Sequence, residues 1–147
     1  MTRRAAREEA FKIIFQIDLS KNPWKEALAR NLKDSDLSEE GRTFLKELVE
    51  GTMTHLAEID AEITKYAQDW KLERMLSTDR NILRMSLYEL KFQKEIPVGA
   101  TVNEAVELAK IYGDDDSGRF VNGILGNIIR SSGQAAVEGG EILKDET

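Results

Sequence analysis

Three arginines near the N-terminus, Arg3, Arg4 and Arg7, have the residue type and spacing needed to bind an anion. In a helix that begins early, Arg7 lies one turn from each of the other two. Guanidinium groups bind phosphates through paired hydrogen bonds, so this cluster could bind a phosphate-bearing ligand such as RNA. Taken by itself, the pattern is more typical of a basic terminus that only improves solubility.

Two other features could carry chemistry. The acidic run from Asp114 to Asp116 does not continue as a calcium loop, because Gly118 takes the third ligand position and no glutamate takes the twelfth. These carboxylates instead predict a turn before a helix, with Asp116 or Ser117 as its cap. The single histidine, His55, lies within a helical pattern and predicts a structural residue rather than a member of a catalytic triad.

The composition excludes several classes of protein. The 147 residues contain no cysteine and one histidine, which excludes disulfide scaffolds, thiol catalysis and multi-histidine metal sites within one chain. The common nucleotide-binding and zinc-protease motifs do not occur. We therefore expect no enzymatic activity, no cofactor and no metal. No apolar run is long enough for a membrane span or a signal peptide, so we expect a cytoplasmic protein without membrane contact.

The charge is unevenly distributed. The net charge is −6 and the isoelectric point is near 5.0, which argues against binding nucleic acid through broad electrostatics. Residues 1–12 nevertheless carry +2, whereas residues 131–147 carry −3. The pattern predicts a small basic arm on an acidic body, and an acidic body suits a basic protein partner.

Apolar residues recur at steps of three and four almost throughout, and no segment alternates as a half-buried strand would. The chain is therefore predicted to be all-α, with about six or seven helices over residues 1–130 and a disordered acidic tail over residues 131–147. The segment 38–66 could form one helix or two. Ser77 or Thr78 can cap a helix with Asp79 in its first turn, and residues 101–104 have the pattern of a capping box that starts the next helix at Thr101.

Four segments, in order, resemble the NusB family of transcription antitermination factors. They are residues 3–10 (RRAAREEA), 79–90 (DRNILRMSLYEL), 102–110 (VNEAVELAK, preceded by Pro97) and 116–125 (DSGRFVNGIL). The resemblance covers about residues 2–130. It implies a compact bundle of about seven helices in two packed halves and no catalysis.

The resemblance also implies partners and sites. Family members bind the boxA element of ribosomal RNA leaders together with ribosomal protein S10, and the complex helps RNA polymerase read through terminators. By resemblance, Asp79 matches an acidic position near the S10 interface. The RNA-contacting residues implied in the same way are Arg3, Arg4 and Arg7 in the arm and Asp116, Arg119 and Phe120 in a second patch.

The arm is short, and Glu8 and Glu9 follow it. About three phosphate contacts give a salt dependence with a slope of only about −2 for a single strand, so binding without a partner is expected to be weak. Two alternatives remain open. One is an RNA-recognition domain like that fused to rRNA cytosine methyltransferases, although these 147 residues leave no room for a methyl-donor domain. The other is a helical interaction module that forms a homodimer.

Overall fold

A computed structural model of the chain describes residues 2–67 and 69–132, which form seven α-helices and one short 3₁₀ turn, with no strand in these ranges. The predicted acidic tail lies outside the described residues from residue 133 onward. The helices are α1 (Thr2–Ser20), α2 (Trp24–Asp34), α3 (Glu39–Thr54), α4 (Leu56–Tyr66), α5 (Ser77–Phe92), α6 (Val98–Tyr112) and α7 (Ser117–Ser132), and the 3₁₀ turn is Leu72–Arg74.

The helices form two packed halves, which confirms the predicted all-α architecture. Helices α1, α2 and α3 pack against one another, and α5, α6 and α7 form the centre of the second half together with α4. The apolar face predicted for α1 is buried throughout, from Ala6 to Ile17. No helix in the described ranges has the length and apolar character that crossing a membrane requires.

The segment 38–66 forms two helices, α3 and α4, which meet at His55. The His55 ring stacks on Phe92 at a centroid distance of 4.2 Å, and its Nδ1 lies 3.0 Å from the carbonyl oxygen of Gly51. A Cβ atom at Gly51 would lie 2.0 Å from Cζ of Tyr88, so this glycine is required for the close approach of α5. His55 is thus a structural residue, as the sequence predicts.

Helix α5 lies at the centre and packs against α1, α3, α4, α6 and α7. Its predicted apolar face, including Ile82, Leu83 and Leu87, is fully buried. The helix also buries polar residues. Asp79 is singled out from the sequence, whereas Asn81, Arg84, Ser86 and Glu89 are not.

The prediction of a capping box at residues 101–104 is wrong. Helix α6 begins three residues earlier at Val98, because Pro97 can precede the first helical turn and has no amide hydrogen to leave unpaired. The Thr101 hydroxyl instead donates to Glu89 Oε1 at 3.0 Å, and the Glu104 carboxylate accepts from Arg4. Both side chains therefore hold helices together rather than capping one.

The predicted turn is found between α6 and α7, but its side chains form hydrogen bonds within the turn rather than capping α7. The Asp114 amide donates to the Ser117 hydroxyl at 2.9 Å, and Asp114 Oδ1 accepts from the Asp116 amide at 2.9 Å. Helix α7 then begins at Ser117. The first aspartate of the run thus organises the turn, which leaves the Asp116 side chain exposed on the surface.

Candidate nucleic-acid interface

The three arginines of α1 lie in three different environments. Arg3 is exposed, and its guanidinium carbon lies 5.3 Å from the centre of the Phe44 ring. It borders a cleft of about 800 Å³ with strongly acidic walls. The glutamates that line this cleft are Glu39, Glu40, Glu47 and Glu95. Arg3 has no ion pair within 4 Å among the described residues, although these four carboxylates lie around the cleft that it borders.

Arg4 pairs with Glu104 on α6. Its Nε lies 3.1 Å from Glu104 Oε1, and its Nη2 lies 2.8 Å from Glu104 Oε2. The Arg4 side chain is nevertheless 68% exposed. The hydrogen bond from Arg4 lowers the pKa of Glu104 despite its partial burial, so the carboxylate stays ionised.

Arg7 is buried rather than exposed, with 5% of its surface accessible. Its Nε and Nη2 donate to the two carboxylate oxygens of Glu89 at 2.8 and 2.9 Å. Glu89 also accepts from Thr101, so the pair joins α1, α5 and α6. Because the Arg7 guanidinium is both buried and paired, it is not placed to bind a phosphate directly.

The second predicted patch lies at the start of α7. The side chains of Arg119 and Asp116 are 88% and 83% exposed, with Arg119 Nη1 3.9 Å from Asp116 Oδ1. The Phe120 ring is partly buried and makes an edge-to-face contact with Trp70, at a centroid distance of 5.8 Å and an interplanar angle of 75°. Trp70 is 52% exposed. The two rings offer an aromatic surface between two clefts.

The first of these clefts has a volume of about 270 Å³ and brings together Asp79, Asp116 and Phe120, three of the residues predicted from the sequence. The second, about 290 Å³, lies on the other side of the aromatic pair and includes Arg119. Trp70 lines both clefts and was not predicted as a site residue. In the sequence it is a large aromatic residue between two helical segments, where no helical periodicity indicates which side chains are exposed.

Asp79 lies in the first turn of α5, where an acidic residue is common but its burial is not. It is 5% exposed, and its Oδ1 has no hydrogen-bond partner among the described residues. Burial raises the pKa of Asp79, the negative charge of Asp114 adds to this effect, and a hydrogen bond from Ser117 opposes it. Asp79 thus lines the cleft with a carboxylate whose Oδ1 is buried and unpaired among the described residues.

A third cleft, with a volume of about 390 Å³, lies between α6 and α7. Its charged lining is balanced, with Lys110 and Arg119 against Glu107 and Asp115. Arg4 contacts α6 through Glu104, and α6 also lines this cleft. Arg119 lines both this cleft and the one beside Trp70 and Phe120. We refer to the exposed arginines of α1, the α6–α7 cleft and the Trp70–Phe120 pair together as the arm-to-aromatic band.

The chain is similar to known proteins over most of its length. The NusB family model matches residues 4–130. The transcription antitermination protein NusB of Desulforamulus reducens is 43% identical over 136 residues, which cover 92% of this chain and 95% of that protein. That of Pelotomaculum thermopropionicum is 47% identical over 133 residues, which cover 89% and 91%.

Two solved structures share the fold. NusB from T. maritima superposes with a TM-score of 0.82 and 34% identity, covering 97% of this chain and 96% of that one. A crystal structure of the antitermination factors NusB and NusE in complex with dsRNA gives a TM-score of 0.81 and 30% identity, covering 88% and 97%. The matches of sequence and fold extend over nearly all the described residues. The chain therefore belongs to the NusB family.

Proposed function

We propose that this protein binds boxA-type single-stranded RNA of ribosomal RNA leaders together with ribosomal protein S10, also called NusE. The bound complex then promotes read-through of terminators by RNA polymerase. Membership of the NusB family makes the chain a transcription antitermination factor rather than an enzyme. Because NusB proteins act on the transcription machinery, we place this activity in the cytoplasm.

The arm-to-aromatic band is the observation that carries the proposal. Single-stranded RNA is recognised by phosphate contacts together with bases that stack on aromatic rings. We assign phosphate contacts to Arg3, Arg4 and Arg119, which are all exposed. Phe120 and Trp70 supply the stacking surface. The exposed carboxylate of Asp116 can accept a hydrogen bond from a base amine, which contributes selectivity rather than affinity.

Arg7 has a different part in this proposal. Its buried pair with Glu89 fixes α1 against α5, and so fixes the direction in which Arg3 and Arg4 project. Since RNA cannot reach the Arg7 guanidinium without breaking a buried ion pair, we leave Arg7 out of the proposed phosphate contacts. It acts as a positioning residue for the arm.

Asp79 is the proposed contact to S10. Asp79 lines the same cleft as Trp70 and Leu76, and both of these apolar side chains are substantially exposed. Exposed apolar side chains are typical of a protein interface, and an acidic residue among them suits a basic partner. Asp116 and Phe120 line the same cleft, so RNA and S10 meet there. Adjacent sites of this kind explain how a partner can strengthen weak RNA binding.

The proposal is tested by a gel shift. A boxA-like RNA and a scrambled RNA of equal length are titrated with the protein, with and without S10. The expected result is weak and unselective binding alone, with a gain in both affinity and boxA selectivity when S10 is present. No gain with S10 would refute the proposal. Light scattering after size-exclusion chromatography shows whether a homodimer forms instead and hides the band.

A further inference from the structure

The contact between Arg4 and Glu104 has the geometry of an arginine bound to phosphate. Two nitrogens of one guanidinium edge, Nε and Nη2, donate to the two oxygens of one carboxylate at 3.1 and 2.8 Å. Paired hydrogen bonds from one guanidinium to two oxygens are also the typical mode of phosphate recognition. The Glu104 carboxylate therefore occupies the donors that a phosphate would use.

This pair differs from the other arginine–glutamate pair of α1 in its exposure. The side chains of Arg7 and Glu89 are 6% and 1% exposed, whereas those of Arg4 and Glu104 are 68% and 19% exposed. An exposed ion pair is weak, because water and salt screen it. The Arg4 pair can thus exchange its carboxylate for an external anion, whereas the Arg7 pair cannot.

The surroundings keep α1 in place when this exchange occurs. The Tyr112 hydroxyl donates to the Glu8 carboxylate, and the Lys12 ammonium lies 5.7 Å from the centre of the Tyr112 ring. Together with the buried pair of Arg7, these contacts join α1 to α5 and α6 independently of Arg4. Opening the Arg4 pair is therefore a rearrangement of two side chains.

We propose that Glu104 is an internal competitor of RNA phosphate, which holds Arg4 in a phosphate-binding geometry in the free protein and is displaced when RNA binds. This inference rests on the proposed RNA-binding function. Glu104 lowers the affinity for every RNA, because Arg4 must release the Glu104 carboxylate before it can bind a phosphate. It thereby makes tight binding depend on base contacts and on S10.

The test is a fluorescence-anisotropy titration of the full chain with boxA-like and scrambled RNA, for the wild type and Glu104→Gln. Glutamine keeps the size of the side chain and removes the charge. We expect Glu104→Gln to bind both RNAs about two- to fivefold more tightly, which is the range of an exposed ion pair. The slope of log K against log salt is expected to change by less than about 0.7, the value of one phosphate contact, because Arg4 contacts phosphate in both complexes.

Two variants separate the ion pair from bulk charge. Glu107→Gln removes the same charge one turn further along α6, where the carboxylate lies near Lys110 rather than hydrogen-bonded to Arg4. It is expected to give a smaller gain than Glu104→Gln. In an Arg4→Ala background, Glu104→Gln is expected to give no more gain than Glu107→Gln. Thermal unfolding within about 3 °C of the wild type shows that the variants fold.

The outcomes are distinguishable from failure of the proposed function. If the wild type binds RNA but Glu104→Gln binds no more tightly, or if its full gain persists without Arg4, Glu104 is not a competitor and this inference is overturned. If the wild type shows no selectivity for boxA with S10, the proposed function itself is wrong. In that case the inference falls with it.

Discussion

The Arg7 guanidinium on α1 donates to both carboxylate oxygens of Glu89 on α5, at 2.8 and 2.9 Å, in the interior of the molecule. The two residues are 82 positions apart in the sequence. The contact crosses between the two helical halves and fixes the helix that carries the basic arm. It also distinguishes the buried Arg7 from Arg3 and Arg4, which are exposed.

Substitution of Arg7 is expected to affect stability first. Arg7→Ala leaves the Glu89 carboxylate buried without its partner, which costs about 3–5 kcal/mol. Urea denaturation followed by circular dichroism measures this loss. The matched control is Arg3→Ala, which changes an exposed residue of the same type and is expected to change stability by less than about 0.5 kcal/mol. Equal stability of the two variants would contradict the assigned role of Arg7.

The two exposed arginines of the arm are expected to contribute affinity without selectivity. The double variant Arg3→Ala, Arg4→Ala removes two proposed phosphate contacts while leaving the buried pair of Arg7 intact. It is expected to weaken the binding of boxA-like and scrambled RNA by a similar factor. The slope of log K against log salt is expected to become shallower by about 1.4. Anisotropy titrations at several salt concentrations measure both effects. A loss confined to boxA would show that the arm reads bases.

The aromatic pair is expected to contribute selectivity. Trp70→Ala removes an exposed ring that is proposed to stack with a base, a contact worth about 1–3 kcal/mol. Binding of boxA with S10 is therefore expected to weaken by at least fivefold, with a smaller effect on scrambled RNA. Phe120→Leu is the companion variant, because leucine retains apolar packing but offers no aromatic face. Unchanged boxA binding in both variants would exclude stacking at this site.

The buried carboxylate of Asp79 is expected to reduce stability. Because burial raises the pKa of Asp79, its carboxyl group holds a proton more tightly in the folded protein than in the unfolded chain. Burying the charged carboxylate therefore costs stability at neutral pH. This cost disappears as the pH falls below the unfolded pKa of about 3.9, where the group is protonated in both states. Asp79→Asn is expected to raise the free energy of unfolding by about 1 kcal/mol at pH 7 and to have little effect at pH 3.5.

The same Asp79→Asn variant tests the assignment to S10. If the carboxylate accepts a hydrogen bond from the partner, S10 binding weakens while the isolated protein becomes more stable. Isothermal titration calorimetry with S10 measures the first effect, and urea denaturation measures the second. A more stable variant with unchanged S10 affinity would remove Asp79 from the partner interface.

Asp18 is expected to control the loss of stability in acid. Burial alone would raise its pKa, but hydrogen bonds from Asn81 and Arg80 and the charge of Arg84 outweigh burial and hold the pKa well below its ordinary range. A depressed pKa contributes stability above the unfolded pKa, and this contribution is lost as the pH falls towards the folded value. Asp18→Asn is therefore expected to lower stability by about 3 kcal/mol at pH 7 and to flatten the acid limb of the stability curve.

The sequence was sufficient to predict the elements that follow from periodicity. The three- and four-residue spacing from Ala6 to Ile17 marked the buried face of α1, because a helix repeats at that period. The start of α6 was predicted wrongly, since the capping pattern at Thr101 is local while the partners of Thr101 and Glu104 lie on other helices. Local patterns contain no information about contacts of that kind.

Local sequence patterns also predicted the candidate site only in part. The type and spacing of Arg3, Arg4 and Arg7 indicated phosphate binding, but their different environments depend on glutamates 82 and 100 residues away. Trp70 was missed for a related reason. It lies at a junction between helices, where no periodic pattern reports exposure, and only the packed structure brings it next to Phe120.

The buried polar residues of α5 constrain how its length can change in evolution. Asn81 points to Asp18 on α1, Arg84 to Asp60 on α4, and Glu89 to Arg7 on α1. Inserting or deleting one residue between them would rotate one end of the helix by about 100° relative to the other. Several charged groups would then lose their partners at once. The composition of α5 can vary at apolar positions, but its residue count between Asn81 and Glu89 cannot.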